Sequence, residues 1–145
     1  AGELSAGWLS ERPDDDRLEP IEGLALAAAL AWSPVRGTTV ELNGSTEIEG
    51  ATAPDASGSI LYSGSVAVSR QLRADLTGRA LAGIDWRDYT GGGSDLLMRG
   101  EVSLTWWMNR YAGITGRARH ERQESTLPDR DYDATSVFLG VTLQR

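Results

Sequence analysis

His120 is the only histidine of the chain, and Glu121 and Arg122 follow it. An imidazole beside a carboxylate can belong to a nucleophilic triad, but a triad also needs a hydroxyl or thiol within hydrogen-bond reach. No serine adjoins His120, Ser125 falls in a link between segments, and cysteine is absent. His120 therefore reads as an interfacial histidine, and no catalytic residue is assigned. Asp14, Asp15 and Asp16 form one acidic group, and Asp129, Asp131 and Asp133 a second. Carboxylates can hold calcium through oxygen, yet neither group has the ligand spacing of a calcium loop. Both read as a solvated acidic rim, and no metal or cofactor is assigned. Gly91, Gly92 and Gly93 lack the strand–loop–helix setting of a phosphate cradle and read as a loop tip.

The remaining chemistry is ionic. All 14 basic residues are arginine against 21 acids, a formal net charge of −7. An acid excess argues against a nucleic-acid partner, which needs a basic patch. The charges most regularly placed are Glu11, Glu41, Glu47, Glu49, Arg79, Arg87, Arg99, Glu101, Arg117 and Arg119, and they recur in segments that alternate apolar and polar residues. Such a period-two pattern defines β-strands. Eight segments can be read, roughly 2–12, 21–33, 37–49, 57–70, 73–88, 95–108, 111–122 and 132–145. They are far longer than the usual strand of about 5–6 residues. Tight connections at 33–37, 71–72 and 109–110 alternate with longer polar links at 13–20, 50–57, 89–94 and 123–131. All 145 residues read as one domain.

Along the body of each segment, away from its ends, one parity is free of formal charge, in a chain that is 24% charged. It carries, for example, Leu24, Leu26, Leu30 and Trp32 in the second segment and Val102, Leu104 and Trp106 in the sixth. Three features put this face outside a barrel and against lipid. An eight-stranded barrel is only just wide enough for its own side chains, and this face is too bulky to be the filling. Trp8, Tyr62 and Trp86 fall toward the longer links and Trp32 and Trp106 toward the tight turns, as two interfacial girdles would. The other face of the second segment is nearly all alanine, a poor surface for water. The longest apolar run, 23–32, is ten residues, too short for a transmembrane helix of about 20; a transmembrane barrel has no such run. A soluble lipocalin-like barrel is the contrasting reading.

With the apolar face outward, the charged parity fills the lumen. In a closed eight-strand barrel, segments four apart face each other. Glu11 is then expected near Arg87, and Glu47 and Glu49 near Arg117 and Arg119. Asp75 belongs to the same inward set. Arginine forks bind carboxylates bidentately, as lysine cannot, and a lumen filled by such pairs is sealed.

The last segment, from Tyr132 through Val137, Phe138, Leu139, Gly140, Val141, Thr142, Leu143 and Gln144 to Arg145, resembles the closing strand of proteobacterial outer-membrane barrels. It is most similar to the β-barrel porin type 2 family, whose members often end in a Leu-Gly-Leu-x-Leu-Gln-like strand; residues 117–122 and the acidic link fit as well. The specific likeness covers about the last 35 residues. Arg145 departs from the terminal Phe or Trp that many outer-membrane proteins present to the barrel assembly machinery, and the family's barrels are usually much longer. The resemblance implies an integral protein of the Gram-negative outer membrane, with lipids including lipopolysaccharide and the assembly machinery as partners and no enzymatic activity. The fold expected is all-β, an eight-stranded antiparallel up-and-down transmembrane barrel with both termini on the periplasmic side. The function expected is structural or anchoring, around a sealed lumen. The alternative is a passive diffusion porin, with these strands the C-terminal part of a wider barrel.

Overall fold

The computed structural model describes residues 1–11, 21–49 and 58–144; the side chains of Leu9, Glu11, Ile21 and Glu49 are outside that description. Asp14, Asp15, Asp16 and Arg145 lie outside the described residues, as do the links 13–20 and 51–57. Eight strands follow in order: β1 (Gly2–Glu11), β2 (Ile21–Trp32), β3 (Thr38–Glu49), β4 (Ser59–Arg73), β5 (Leu76–Tyr89), β6 (Ser94–Trp107), β7 (Ala112–Ser125) and β8 (Tyr132–Leu143). Each pairs antiparallel with the next, in one sheet of order β1 to β8. This is the up-and-down topology that period-two patterning and short connections favour.

Register follows the parity of the sequence. Leu42 lies opposite Val66, Val66 opposite Ala82, Ala80 opposite Val102 and Val102 opposite Ala118. Ala118 in turn lies opposite Val137, so one apolar face is continuous from β3 to β8. A slip of one residue in any pair would mix this face with the charged one, which is why both-sided patterning fixes register so firmly.

The two faces differ in exposure, and the apolar one is the more exposed. Val102 and Leu104 are 59% and 53% exposed, and Val137 and Leu139 are 80% and 76% exposed. Between them in β6, Glu101, Ser103 and Thr105 on the opposite parity are only part-exposed. Among the described residues the one buried hydrophobic is Ala67. A water-soluble fold is driven by burying such side chains, at about 1.5–3 kcal/mol each. In β5 and β6 the sheet shelters its charges and presents its leucines and valines, whereas Glu47 and Arg117 are exposed.

The sheet does not close. Each of β1 and β8 pairs on one side only, so the closed eight-strand barrel expected from the sequence is replaced by an open sheet with two free edges. The departure begins in β2. Its ladder with β3 ends at Ala27 opposite Ser45. Beyond that point the Leu26 N–H donates to Thr46 Oγ1 at 3.1 Å. Gly23 is buried, and a Cβ there would come within 2.7 Å of Ile60 Cδ1 and 3.3 Å of Tyr62 Oη. The loop end of β2 therefore rests on side chains that β3 and β4 carry on the apolar face. Glycine permits the close approach, and β1, paired to β2 along its whole length, goes with it.

The turns refine the sequence reading. The β4–β5 connection is not at Gln71 and Leu72 but at Ala74 and Asp75; β4 continues to Arg73 with a register irregularity between Gln71 and Arg73. Such a bulge leaves a residue unpaired, here Leu72. Asp75 accordingly leaves the inward set. Its carboxylate accepts hydrogen bonds from Arg73 Nε and Nη2 at 3.3 and 3.1 Å and from Trp106 Nε1 at 2.8 Å. Between β5 and β6, Gly92 and Gly93 take φ of 93° and 104°, the left-handed region that glycine enters without strain, and close a hairpin. The described chain ends share the tight-turn rim: Ala1 exchanges backbone bonds with Ala31, and the Gln144 N–H donates to Tyr111 O.

The hydrogen bond from Arg73, and next that from Trp106, hold the Asp75 carboxyl below its ordinary range. A lowered folded pKa adds stability that is complete above the unfolded value, near 3.9, and is lost as pH falls through the folded value. The indole N–H resonance of Trp106 in micelles is therefore expected to hold steady from pH 8 to about 5 and to move below about 4. Asp75→Asn should remove that low-pH movement.

Candidate functional site

The charged face is built from odd-numbered positions of β3 and of β5 to β7. Arg79 Nη2 lies 2.8 Å from Glu41 Oε2, reaching from β5 across β4 to β3, and Arg79 Nη1 donates to Ser69 Oγ at 3.0 Å. Arg99 Nη1 lies 2.8 Å from Asp85 Oδ2 on the neighbouring strand. Arg117 Nε lies 3.4 Å from Glu101 Oε1, also one strand away. Arg119 pairs with Glu121 of its own strand. Asp85 Oδ1 is buried without a hydrogen-bond partner and lines a cavity of about 240 Å³ with Glu47, Arg87, Asp95, Arg99 and Gln123 among its walls.

These ion pairs join positions on the same strand or at most two strands apart, not four. The expected meeting of Glu47 with Arg117 and Arg119 does not occur, because those arginines are engaged by nearer acids, Glu101 and Glu121. The open sheet gives the physical reason: with β1 and β8 apart, the nearest carboxylates lie along the wall. The proposed contact of Glu11 with Arg87 and those of Glu49 involve side chains outside the description. Asp85 belongs to the inward parity of the fifth segment; its pairing with Arg99 needs the β5–β6 register, in which Gly83 lies opposite Arg99. A Cβ at Gly83 would stand 2.7 Å from Arg99 Nε, so the glycine makes room for the guanidinium.

At the loop rim the structure assembles a cluster in which Tyr89, Asp95 and Ser125 continue the odd parity of the charged face and Arg130 joins from a link. Asp95 is 5% exposed. Tyr89 Oη donates to its Oδ2 at 2.6 Å, Arg130 Nη1 approaches the same oxygen at 3.2 Å, and the Ser125 hydroxyl bonds the other oxygen. Arg130 Nη1 also donates to Tyr89 Oη at 2.8 Å, with the guanidinium 5.5 Å from the Tyr89 ring centre. The Ser125 N–H donates to Asp131 Oδ1 at 2.6 Å. Asp95 thus ties the start of β6 to the end of β5, the end of β7 and the β7–β8 link. Arg130 and Asp95 are far apart in sequence, and only the hairpin stacking brings them together.

The second acidic group does not gather. Asp131 caps Ser125, Asp133 Oδ2 lies 3.6 Å from His120 Nε2, and Asp129 sits in a turn with φ of 61°. Among the described residues no group of three or more histidines and acids is placed to share a metal. His120 Nδ1 shares a 2.9 Å hydrogen bond with Thr135 Oγ1, so the imidazole is held between two groups of β8. His120 and the Arg122–Glu124 pair at 2.8 Å occupy the parity of Ala118, and so mark where the apolar face of β7 ends toward the loops.

The aromatic residues sit on the apolar face. Trp8, Trp32, Trp86 and Trp106 are exposed, and Tyr62 stacks on Trp86 with ring centres 5.8 Å apart and planes at 29°. Trp107 turns to the other face, where it covers Gly113. Trp86 lies opposite Leu96, about ten residues along β6 from Trp106. At about 3.3 Å per residue and a tilt of about 45°, the two levels are about 23 Å apart, close to the height of an outer-membrane barrel's apolar band.

An antiparallel up-and-down sheet of long strands, apolar and exposed on one face and ionic on the other, defines a porin-type membrane β-protein. A family model described as "putative beta-barrel porin 2" matches residues 1–145, and the chain belongs to that family. No curated protein and no solved structure matched it. Membership implies an outer-membrane location and a porin-like role.

Truncating Asp95 leaves Tyr89, Ser125 and Arg130 without their shared acceptor. Asp95→Ala should lower unfolding stability in detergent micelles by about 2–3 kcal/mol, the scale of hydrogen bonds to a charged group. Tyr89→Phe, which removes one donor, should cost about 1 kcal/mol, both measured by urea titration in those micelles.

Proposed function

We propose that the chain is an outer-membrane porin wall that lets small polar solutes diffuse passively, with its apolar face against lipid and its arginine–carboxylate pairs facing the passage. The observation that carries this reading is the direction of the ion pairs. Arg79 with Glu41, Arg99 with Asp85 and Arg117 with Glu101 run between strands of the same wall. Pairs of that kind lie along a lining and leave the space in front of it free. The free edges of β1 and β8 must find backbone partners inside a bilayer, where an unpaired N–H or C=O costs several kcal/mol. Tight turns and both described chain ends share one rim, and in this reading that rim faces the periplasm, as in outer-membrane barrels with short periplasmic turns.

A structural or anchoring barrel with a sealed lumen is the second reading. It is favoured by the size of the charged side chains if the eight strands close on themselves, since that bore holds only its own filling. Single-channel recording in a planar bilayer separates the two. Steady openings that scale with salt concentration support the pore, and a silent, fully inserted protein supports the seal. In both readings lipids surround the apolar face, with lipopolysaccharide at the loop rim, and assembly passes through the barrel assembly machinery.

The sidedness itself is tested by a pair of substitutions. Leu104→Arg places a charge in mid-band and should cost roughly 2–4 kcal/mol of folding into vesicles, whereas Glu101→Ala on the other face should cost about 1 kcal/mol or less. Equal folding yields for the two variants would reverse the assignment of faces.

A further inference from the structure

Most arginines of the described chain are spoken for by an acid or an aromatic ring, but two at the tight-turn rim are not. Arg36 and Arg70 have no carboxylate partner among the described residues, and both are exposed. Arg70 lies opposite Thr38 of β3 on one side and Gly78 of β5 on the other. Gly78 has no side chain to screen it. The β2–β3 turn carries Arg36 two residues before Thr38, and the Gln71 N–H donates to Gly37 O at 2.8 Å, so both arginines belong to the same rim.

Arg70 is also the mouth of a groove. A depression of about 800 Å³ runs over the apolar face from Arg70 and Leu72, across Gly78 and Ala80 of β5, toward Gly116 and Ala118 of β7. Its volume is in the range of a ligand site, and it is open along its length as an acyl chain would need. A cationic fork at the head of an apolar trough matches an amphiphile with an anionic head and a hydrocarbon tail. At this height, beside the interfacial Trp106, the anion available is a lipid phosphate. Guanidinium binds phosphate in a planar two-bond geometry.

We propose that Arg70, assisted by Arg36, binds the headgroup phosphate of an anionic phospholipid in the tight-turn leaflet, with one acyl chain lying in the groove over Gly78 and Ala80. This rests on the apolar face being the lipid-facing one. The neighbouring Arg73 is held by Asp75 and is not available. At the opposite rim, Arg122 and Arg130 are likewise occupied by Glu124 and Asp95. Among the described residues the site is therefore confined to one rim.

The test is tryptophan quenching by brominated lipids, on the full chain folded into vesicles. Brominated phosphatidylglycerol in a phosphatidylcholine background is compared with brominated phosphatidylcholine alone. Phosphatidylglycerol should be preferred by about fivefold, equivalent to about 1 kcal/mol for one arginine at a lipid surface. Arg70→Gln should bring the ratio to about one, Arg36→Gln should lower it partway, and Arg70→Lys should retain part of it. Ala80→Phe, which fills the groove and leaves both arginines, should also lower it. Millimolar inorganic phosphate should not compete. A ratio near one in the wild type, a ratio unchanged by Arg70→Gln, or competition by free phosphate would each overturn the proposal. Absence of quenching by either lipid would instead overturn the lipid-facing assignment on which it rests.

Discussion

The pleat of the β-strand is the constraint on which everything else depends. Successive side chains leave opposite faces, so two-residue alternation over a long strand produces two chemically unlike surfaces from one chain. In hydrocarbon the backbone can be satisfied only by neighbouring strands, and all eight strands here are paired in sequence order. The resulting sheet has no apolar interior. Its valines and leucines are its outside, and the solvent they require is lipid.

The charged face obeys a different economy. Ion pairs withdrawn from water return little net stability, because desolvation offsets the attraction. Their value is in spacing and direction. Gly83 yields room to Arg99, which turns to Asp85, and Arg79 reaches over β4 to Glu41. Each guanidinium is thereby held against the wall. A face lined in this way presents fixed charges of both signs to whatever stands in front of it, which suits a passage for small polar solutes better than a single-sign filter.

Much of this was legible in the residue pattern. Eight strands, their order, the longer and shorter connections and the apolar parity all follow from period two, and the family assignment that the last strand suggested extends over the whole chain. The errors have identifiable physical causes, some local and one belonging to the whole sheet. The β4–β5 turn was placed three residues early because Ala74 extends the apolar parity of Leu76 and Gly78 backward across the actual turn. Asp75 was counted with the inward charges for the same reason. The ionic partners were misassigned because closure into a ring was assumed. In the loop-rim cluster Tyr89, Asp95 and Ser125 share the charged parity, but their meeting with Arg130 was not legible, since that residue comes from a link.

The sequence by itself determined which side chains share a face, because parity is a property of the chain's covalent geometry and needs no knowledge of neighbours. It also determined that the apolar face is too long and too free of charge for water. Only the tertiary structure decided which acid each arginine meets, that Arg70 and Arg36 meet none among the described residues, and that β2 leaves its partner at Ala27 and keeps β1 from β8. Those outcomes depend on strand register, on where a glycine lets one backbone approach another, and on whether the sheet edges join. None of these is written in the spacing of residue types along a single strand.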